Sequence, residues 1–451
     1  MRTEQSSGQL ADAALAEANA IIKTCNHFGF CTATCPTYFI THDENESPRG
    51  RIDLIRAMLA TPGPPDAATV RHLDTCLSCL ACVSTCGVKV DYMHLIDHAR
   101  SHIDRNYRRS WSDRLFRKLI AVTVPNRRRF RLALDMGRCF TRLARFLPPR
   151  LSNLLELVPQ RRQATADLVA GTYPAEGSTR WRVALLAGCA QRILAPQINS
   201  ATVRLLNRLG CEVSVVAGAE CCGALALHMG RVAEGRQAAR RNIDAWIAQS
   251  ERGALDAVIV NASGCGTMMK DYDHVFQHDS HYRERAHFIA SRTVDVCEFL
   301  DRIGMPAATI ATNYKVAYHD ACSLRNGQRV TREPRQLLRA AGFHLVDVAE
   351  AHFCCGSAGA YNLLQPKIAR YLGERKARHT ETTGASMLAV GNVGCLAQLS
   401  RYTPLPIVHT VELLDWATGG AMPPQLKGRP LRKQAEVSTA TPESAGGLGL
   451  W

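Results

Sequence analysis

Cys25, Cys31 and Cys35, the last followed by Pro36, and then Cys76, Cys79, Cys82 and Cys86 have the residue type and spacing of iron–sulfur ligands. A C-x2-C-x2-C-x3-C run suits a cubane because closely spaced thiolates reach several irons of one cluster, while the fourth cysteine reaches the neighbouring cluster. On that crossed pattern Cys76, Cys79, Cys82 and Cys35 hold one [4Fe–4S] cluster, and Cys25, Cys31 and Cys86 hold the other. The second set is one ligand short, because Phe28 stands where a cysteine belongs. That departure favours a [3Fe–4S] centre, or a [4Fe–4S] cluster with a non-cysteine ligand such as His27, although an imidazole beside a cluster is more often a hydrogen-bond donor. A structural zinc site built from two C-x2-C pairs fits the spacing less well.

A second group of cysteines is duplicated. Cys189, Cys221, Cys222 and Cys265 are followed by Cys322, Cys354, Cys355 and Cys395, and the first two members of each set are 32 residues apart. Around them the chain repeats itself: Leu209-Gly-Cys-Glu-Val-Ser-Val-Val precedes Cys221-Cys-Gly, as Ala341-Gly-Phe-His-Leu-Val-Asp-Val precedes Cys354-Cys-Gly. Adjacent cysteines can direct two thiolates at one centre, and the following glycine permits a strained backbone. The eight residues are therefore metal or cluster ligands, with zinc and iron–sulfur both open. Cys139, Cys211 and Cys297 fall outside the pattern and are expected to be inert buried thiols. His319-Asp320, beside Cys322, is expected to orient a ligand loop.

The elements that position these residues are legible. Residues 12–23, 52–59 and 92–106 have helical spacing around the two cysteine runs, with a turn at Glu46-Ser-Pro-Arg-Gly-Arg51. From residue 179 short β-branched runs at Val183, Val213, Ala257, Val316, His344 and Met387 alternate with helices, which argues parallel α/β sheets. The cysteines of each set then lie at or beyond strand ends, where α/β folds build sites. The expected organisation is α+β and multidomain: a helical ferredoxin-like domain (1–100), a basic helical connector (101–178) broken at Pro148-Pro149 and Pro159, two cysteine-rich α/β repeats (179–310 and 311–421), and a disordered tail (422–451).

The 451 residues carry a formal charge of +15, and residues 100–162 supply thirteen of those charges through sixteen arginines and one lysine. The segment reads as amphipathic basic helices, suited to an anionic membrane surface or to packing on partner subunits. No nucleic-acid module accompanies it, so nucleic-acid binding is not expected. Met1–Ala20 is polar with no apolar signal segment, and no window approaches the ~18 apolar residues of a membrane span. Eighteen cysteines are then expected to be reduced, metal-binding and cytoplasmic, with peripheral contact to the inner membrane open. There is neither a G-x-G-x-x-G fingerprint nor a P-loop, so flavin and nicotinamide are not expected on this chain, and it offers no catalytic acid, base or nucleophile.

Gly29-Phe-Cys-Thr-Ala-Thr-Cys-Pro-Thr-Tyr38, Pro48-Arg-Gly-Arg-Ile52, Asn242-Ile-Asp-Ala-Trp246, Ala262-Ser-Gly-Cys-Gly266 and Cys354-Cys-Gly-Ser-Ala-Gly359 resemble the iron–sulfur subunit family of bacterial glycolate oxidase. That family is akin to heterodisulfide reductase subunits, the iron–sulfur subunit of anaerobic glycerol-3-phosphate dehydrogenase and lactate-utilisation proteins. The resemblance covers residues 10–418 and implies an electron-transfer subunit that takes electrons from FAD-containing partner subunits oxidising glycolate to glyoxylate and passes them toward a quinone. Heterodisulfide reductase relatives end each CCG repeat in C-x2-C and bind a non-cubane cluster through five cysteines; Ala262 and Asn392 stand at the first position of that pair here. Gly87 also replaces the proline usual after the second run. Three rival readings remain: lactate or glycerol-3-phosphate oxidation through another flavoprotein, a zinc-binding assembly scaffold, and thiol–disulfide chemistry at the CCG sites.

Overall fold

The computed structural model describes residues 7–141, 155–156, 158, 168–310, 312–429 and 431; the proline breaks at 148–149 and 159 and the tail from 432 lie outside them. The first hundred residues are helical. Helices Ser7–Lys23, Pro48–Ala60, Ala67–Asp74 and Tyr92–Asn106 start where local chemistry says they should: Ser47 accepts from the Gly50 amide with Pro48 at the first turn, and Asp66 caps Ala68 and Thr69. Their apolar stripes, including Ile22, Ile52, Ile55, Leu73, Leu95, Ile96 and Ile103, close one core beneath the cysteine loops.

Helices Trp111–Thr123 and Arg127–Phe140, capped by Ser110 and Asn126, pack on each other. Ile120, Ala121, Leu134 and Gly137 face inward, whereas Trp111, Leu115, Leu119, Leu132, Met136 and Phe140 are exposed at four-residue intervals. Cys139, expected in a core, is exposed here because its helix position lies on the outer face. Cys211 and Cys297 are buried as expected.

Two sheets follow. β1 (Gly171–Tyr173), β2 (Trp181–Leu185), β3 (Cys211–Val215), β4 (Ala257–Val260) and β5 (Thr293–Asp295) form the order β1-β3-β2-β4-β5, in which only β1 is antiparallel. β6 (Lys315–His319), β7 (His344–Asp347), β8 (Met387–Val390) and β9 (Ile407–His409) form the parallel order β7-β6-β8-β9. Without β1 the two topologies are the same, so the repeat in sequence is a repeat in fold. β1 is drawn from the segment expected as connector, because its backbone completes the open edge of β3.

The repeats fuse through one core that includes Leu185, Leu206, Val316, Leu338 and Leu413. Arg204 and Arg208 of helix Pro196–Arg208 both reach the buried Asp415 of helix Thr410–Ala417, at 2.5 Å each. The tail expected to be unstructured from Met422 begins with an ordered turn, Pro424–Leu426, because Leu426 buries its side chain in that core.

Candidate metal centres

The ferredoxin-type cysteines sit on loops between helix ends. Cys35, Cys76 and Cys79 are buried; Cys25, Cys31, Cys82 and Cys86 are half-buried. Ser78 (φ 49°) and Leu80 (φ 60°) take left-handed conformations that wrap the chain between Cys76 and Cys82. Donors already face the sulfurs: the Val90 amide lies 3.5 Å from Cys86 Sγ and the Tyr92 hydroxyl 3.7 Å from Cys76 Sγ. Burial pushes the Cys79 thiol up, so the free site resists charging and bound metal must stabilise the thiolate. Clustered soft donors with hydrogen bonds aimed at sulfur fit an iron–sulfur cluster.

Beside Cys35 lies Arg51, 1 % exposed, its Nη1 3.9 Å from the sulfur. Its guanidinium also reaches the His72 carbonyl (2.8 Å), Thr37 Oγ1 (3.0 Å), Thr75 Oγ1 (3.2 Å) and Glu46 Oε2 (2.6 Å). Burial alone lowers its proton affinity, but Cys76, Cys35 and Glu46 outweigh that and hold it charged. At the other edge, His27 turns to Arg56 (3.3 Å) and Asp53 (3.6 Å), so its weighed role as a substitute ligand has no support in this geometry. Phe28 and Phe30 are 66 % and 67 % exposed there.

In the first repeat Cys189 follows β2, Cys221 and Cys222 follow β3, and Cys265 lies on helix Ser263–Lys270 after β4. All are at the carboxyl ends of parallel strands around the point where strand order reverses. Mutual interaction of the clustered thiols, together with burial, drives the Cys189 thiol (against Cys221) and the Cys222 thiol (against Cys221 and Cys265) up, and the same interaction drives the Cys221 thiol down. Asn242 holds the loop, donating to the Cys221 carbonyl (2.9 Å) and accepting from the Glu220 amide (3.0 Å), while Tyr272 donates to the Cys222 carbonyl (2.9 Å).

The second repeat assembles the same way. Cys322 Sγ is 3.7 Å from Cys354 Sγ, and Cys355 Sγ is 3.3 Å from Cys395 Sγ on helix Val393–Leu399. The bond from Cys355 brings the Cys395 thiol down to about 6. The glycine of each CCG is sterically required: Gly223 (φ +92°) and Gly356 (φ +85°) would place a Cβ 2.5 Å from the Gly235 and Ala369 carbonyl oxygens. Asn392 is not a ligand surrogate. It caps helix Val393–Leu399 through the Gly394 amide and donates to Ser263 Oγ (2.7 Å), joining the two repeats next to Ala262. Asp320 pairs with Arg335 (2.6 Å), which leaves His319 unsupported by it and facing the cysteines.

The helical domain and the second repeat share an apolar cluster containing Leu77, Cys79, Cys322, Cys354 and Tyr361. Asn326 donates to the Cys79 carbonyl (2.8 Å) and Tyr361 to the Thr75 carbonyl (2.9 Å) across the same junction. The first repeat is held differently, by Glu17 to His274 (2.6 Å), with His98 on the same carboxylate from within the helical domain (3.1 Å), and by His94 to Asp271 (2.9 Å). Sequence reasoning found the cysteines and placed His319 beside them as support for a ligand loop, but it did not single out Arg51 or Asn242, which lie within segments that resemble the family.

A 4Fe-4S dicluster domain matches residues 24–90, and a cysteine-rich domain matches twice, at 183–270 and 316–400. Over 417 residues the chain is 35 % identical to the glycolate oxidase iron–sulfur subunit of Escherichia coli, covering 92 % of this chain and 99 % of that one. The chain belongs to the glycolate oxidase iron–sulfur subunit family. A probable member from Bacillus subtilis is 32 % identical over 83 % of this chain and 87 % of its own length. Lactate utilization protein A of Bacillus licheniformis is 28 % identical over 52 % of this chain and 99 % of its own. A crystal structure of a hypothetical protein from Helicobacter pylori shares the fold at 10 % identity, with TM-score 0.52 over 91 % of this chain and 77 % of that one. As a member of that family the chain carries its dicluster domain ahead of two cysteine-rich domains.

Proposed function

We propose that this chain is the electron-transfer subunit of a glycolate dehydrogenase complex, with the flavin and the substrate site on partner subunits. Cys76, Cys79, Cys82 and Cys35 hold a [4Fe–4S] cluster, and Cys25, Cys31 and Cys86 hold a second centre that Phe28 leaves short of one cysteine. When bound, such clusters accept and release single electrons, which divides the two-electron oxidation of a hydroxy acid into steps. The protein's part is to insulate, space and tune them. Arg51 places a fixed positive charge beside Cys35, which favours the more negative, reduced state of the adjoining cluster.

The observation that carries this reading is the continuity of thiols through the fold. Half-buried Cys25 and Cys31 sit by the exposed Phe28 and Phe30; buried Cys79 shares an apolar cluster with Cys322 and Cys354. The exposed aromatic edge is suited to receive a flavoprotein, and the second repeat to receive electrons from the cluster beside Cys79. The length of the match favours glycolate over lactate, since the lactate utilization relative aligns with only 52 % of the chain.

Among the described residues no helix is long and apolar enough to cross a membrane. Membrane contact at the cytoplasmic face, to reach a quinone, falls instead to the two basic helices, whose exposed Trp111, Leu115 and Leu119 are flanked by Arg114 and Lys118. The deciding experiment is anaerobic isolation of the complex followed by visible absorption before and after glycolate, D-lactate, L-lactate or glycerol 3-phosphate. Bleaching by glycolate supports the assignment. Bleaching only by another substrate reassigns the partner, and a colourless, zinc-loaded protein overturns the relay in favour of an assembly scaffold.

A further inference from the structure

His319 is the last residue of β6 and is 1 % exposed. Neither of its ring nitrogens has a well-formed hydrogen bond, although burial of an imidazole ordinarily demands at least one partner. Its own sequence neighbour does not serve it, because Asp320 is engaged by Arg335 and Arg325. The ring instead faces sulfur: a ring nitrogen, Cys355 Sγ and Cys395 Sγ all lie within 4.8 Å of one another, with every residue buried. Cys322 and Cys354 complete the surroundings, 3.7 Å apart. Strand pairing makes the comparison with the first repeat direct: Val183-Ala-Leu-Leu186 aligns with Val316-Ala-Tyr-His319, so the position of His319 is held by Leu186, which is buried in an apolar cluster.

We infer that His319 is a metal ligand, so that the second cysteine-rich site is a mixed imidazole–thiolate centre while the first is all-thiolate. This rests on the reading of the cysteine-rich repeats as metal-binding and goes beyond it by separating the two sites. An unpaired buried nitrogen and thiols converging on it form a donor set that iron and zinc both accept. The imidazole is an added neutral donor, since all four cysteines of the first site have counterparts in the second and His319 stands opposite Leu186. That difference is in the right place, since the second site adjoins Cys79 and the first does not share that apolar cluster.

The test is the metal content of the full chain isolated anaerobically, with iron and zinc each counted per chain, for wild type, His319→Leu, His319→Asn and His319→Cys. Ligation predicts that His319→Leu and His319→Asn each lose the metal of one site, while His319→Cys, which supplies a thiolate, retains it. Histidine labelled with 15N should also give a nitrogen coupling to the site's paramagnetic state, where it has one, that His319→Leu abolishes. Asparagine can hydrogen-bond in the ring's place but ligates poorly, so wild-type metal content in both His319→Asn and His319→Leu would overturn the inference. Folding is monitored by the paramagnetic signals of the ferredoxin-type centres, and His319→Cys keeps the test decisive if the leucine variant is unstable. A chain that binds His319-dependent zinc but no iron anywhere would uphold this inference and sink the electron relay.

Discussion

Replacing Arg51 with leucine should destabilise the cluster domain severely, for a reason that the geometry makes quantitative. Arg51 and Glu46 have side chains only 1 % and 7 % exposed, with 2.6 Å between Nη2 and Oε2. Breaking a buried pair by removing one partner costs about 3–5 kcal/mol, because the remaining charge is stranded. Glu46 keeps His72 Nδ1 at 2.7 Å, which argues for the lower end, about 3 kcal/mol. For a helical core of about 100 residues, with an unfolding entropy near 2.1 cal/mol/K per residue, that is a fall in Tm of about 14 °C. Arg51→Lys should rescue little, since a single ammonium does not span Glu46, the His72 carbonyl, Thr37 and Thr75 together. The double variant Arg51→Leu/Glu46→Leu should recover about half the loss by removing both charges. The assay is anaerobic thermal unfolding of the full chain, followed by far-ultraviolet circular dichroism and by loss of visible absorption. A single-variant loss below about 1 kcal/mol, or a double variant less stable than the single, would refute the claim that this pair is held by mutual neutralisation.

Gly356→Ala, and equally Gly223→Ala, forces a Cβ to within 2.5 Å of a backbone oxygen at positive φ; a loss of about 2–3 kcal/mol is expected in the denaturation midpoint, the left-handed backbone alone accounting for about 1–2. At the junction with the first repeat, burial lowers the affinity of His94 for its proton but its bonds to Asp271 and Asp91 win and raise it to about 10. Its stabilisation is therefore full below its unfolded value of about 6.5 and is lost as pH rises toward 10, which a stability–pH profile of His94→Gln against wild type checks. Glu17 acts in the opposite sense: bonds from His274 and His98 hold its carboxyl far below the usual range, so its contribution is present above about pH 4.3 and decays only in strong acid. Phe28→Cys should raise iron content by about one atom per chain and replace any [3Fe–4S] signal with that of a [4Fe–4S] cluster, as the crossed ligand pattern requires; unchanged signals would refute it. Trp111→Ser/Leu115→Ser/Leu119→Ser should weaken sedimentation with anionic vesicles by about two orders of magnitude, at ~1 kcal/mol per side chain removed from the interface.

The sequence revealed those parts of the fold whose signals are local. Helix Tyr92–Asn106 shows its stripe in the spacing of Leu95, Ile96, Ala99 and Ile103, and β4 in its run Ala257-Val-Ile-Val. β1, β5 and β9 were not legible, because each is three residues long and is defined by the neighbour it pairs with rather than by its own pattern. The same division governs the site. Cysteine spacing is a local signal, and it named the ligand sets expected here. Arg51 reaches Cys35 across 16 positions and Asn242 reaches Cys221 across 21, and nothing in their immediate neighbours announces the contact.

His319 shows where the repeat itself carries information that neither repeat carries alone. Duplication with retained function in both halves should keep an apolar residue at the equivalent position of both repeats, directly after β2 and at the last residue of β6, since the chain enters a packed interior at both. Leu186 obeys this and His319 does not, although both are buried. A polar side chain at a position whose counterpart is apolar needs a partner that the counterpart lacks. No oxygen or nitrogen among the described residues supplies it, and the sulfurs of Cys355 and Cys395 are what the ring meets. The departure from symmetry is thus itself an argument that the two sites, built on one fold with matching cysteines, have come to hold their metals differently, and that the one abutting the ferredoxin-type domain carries the added donor.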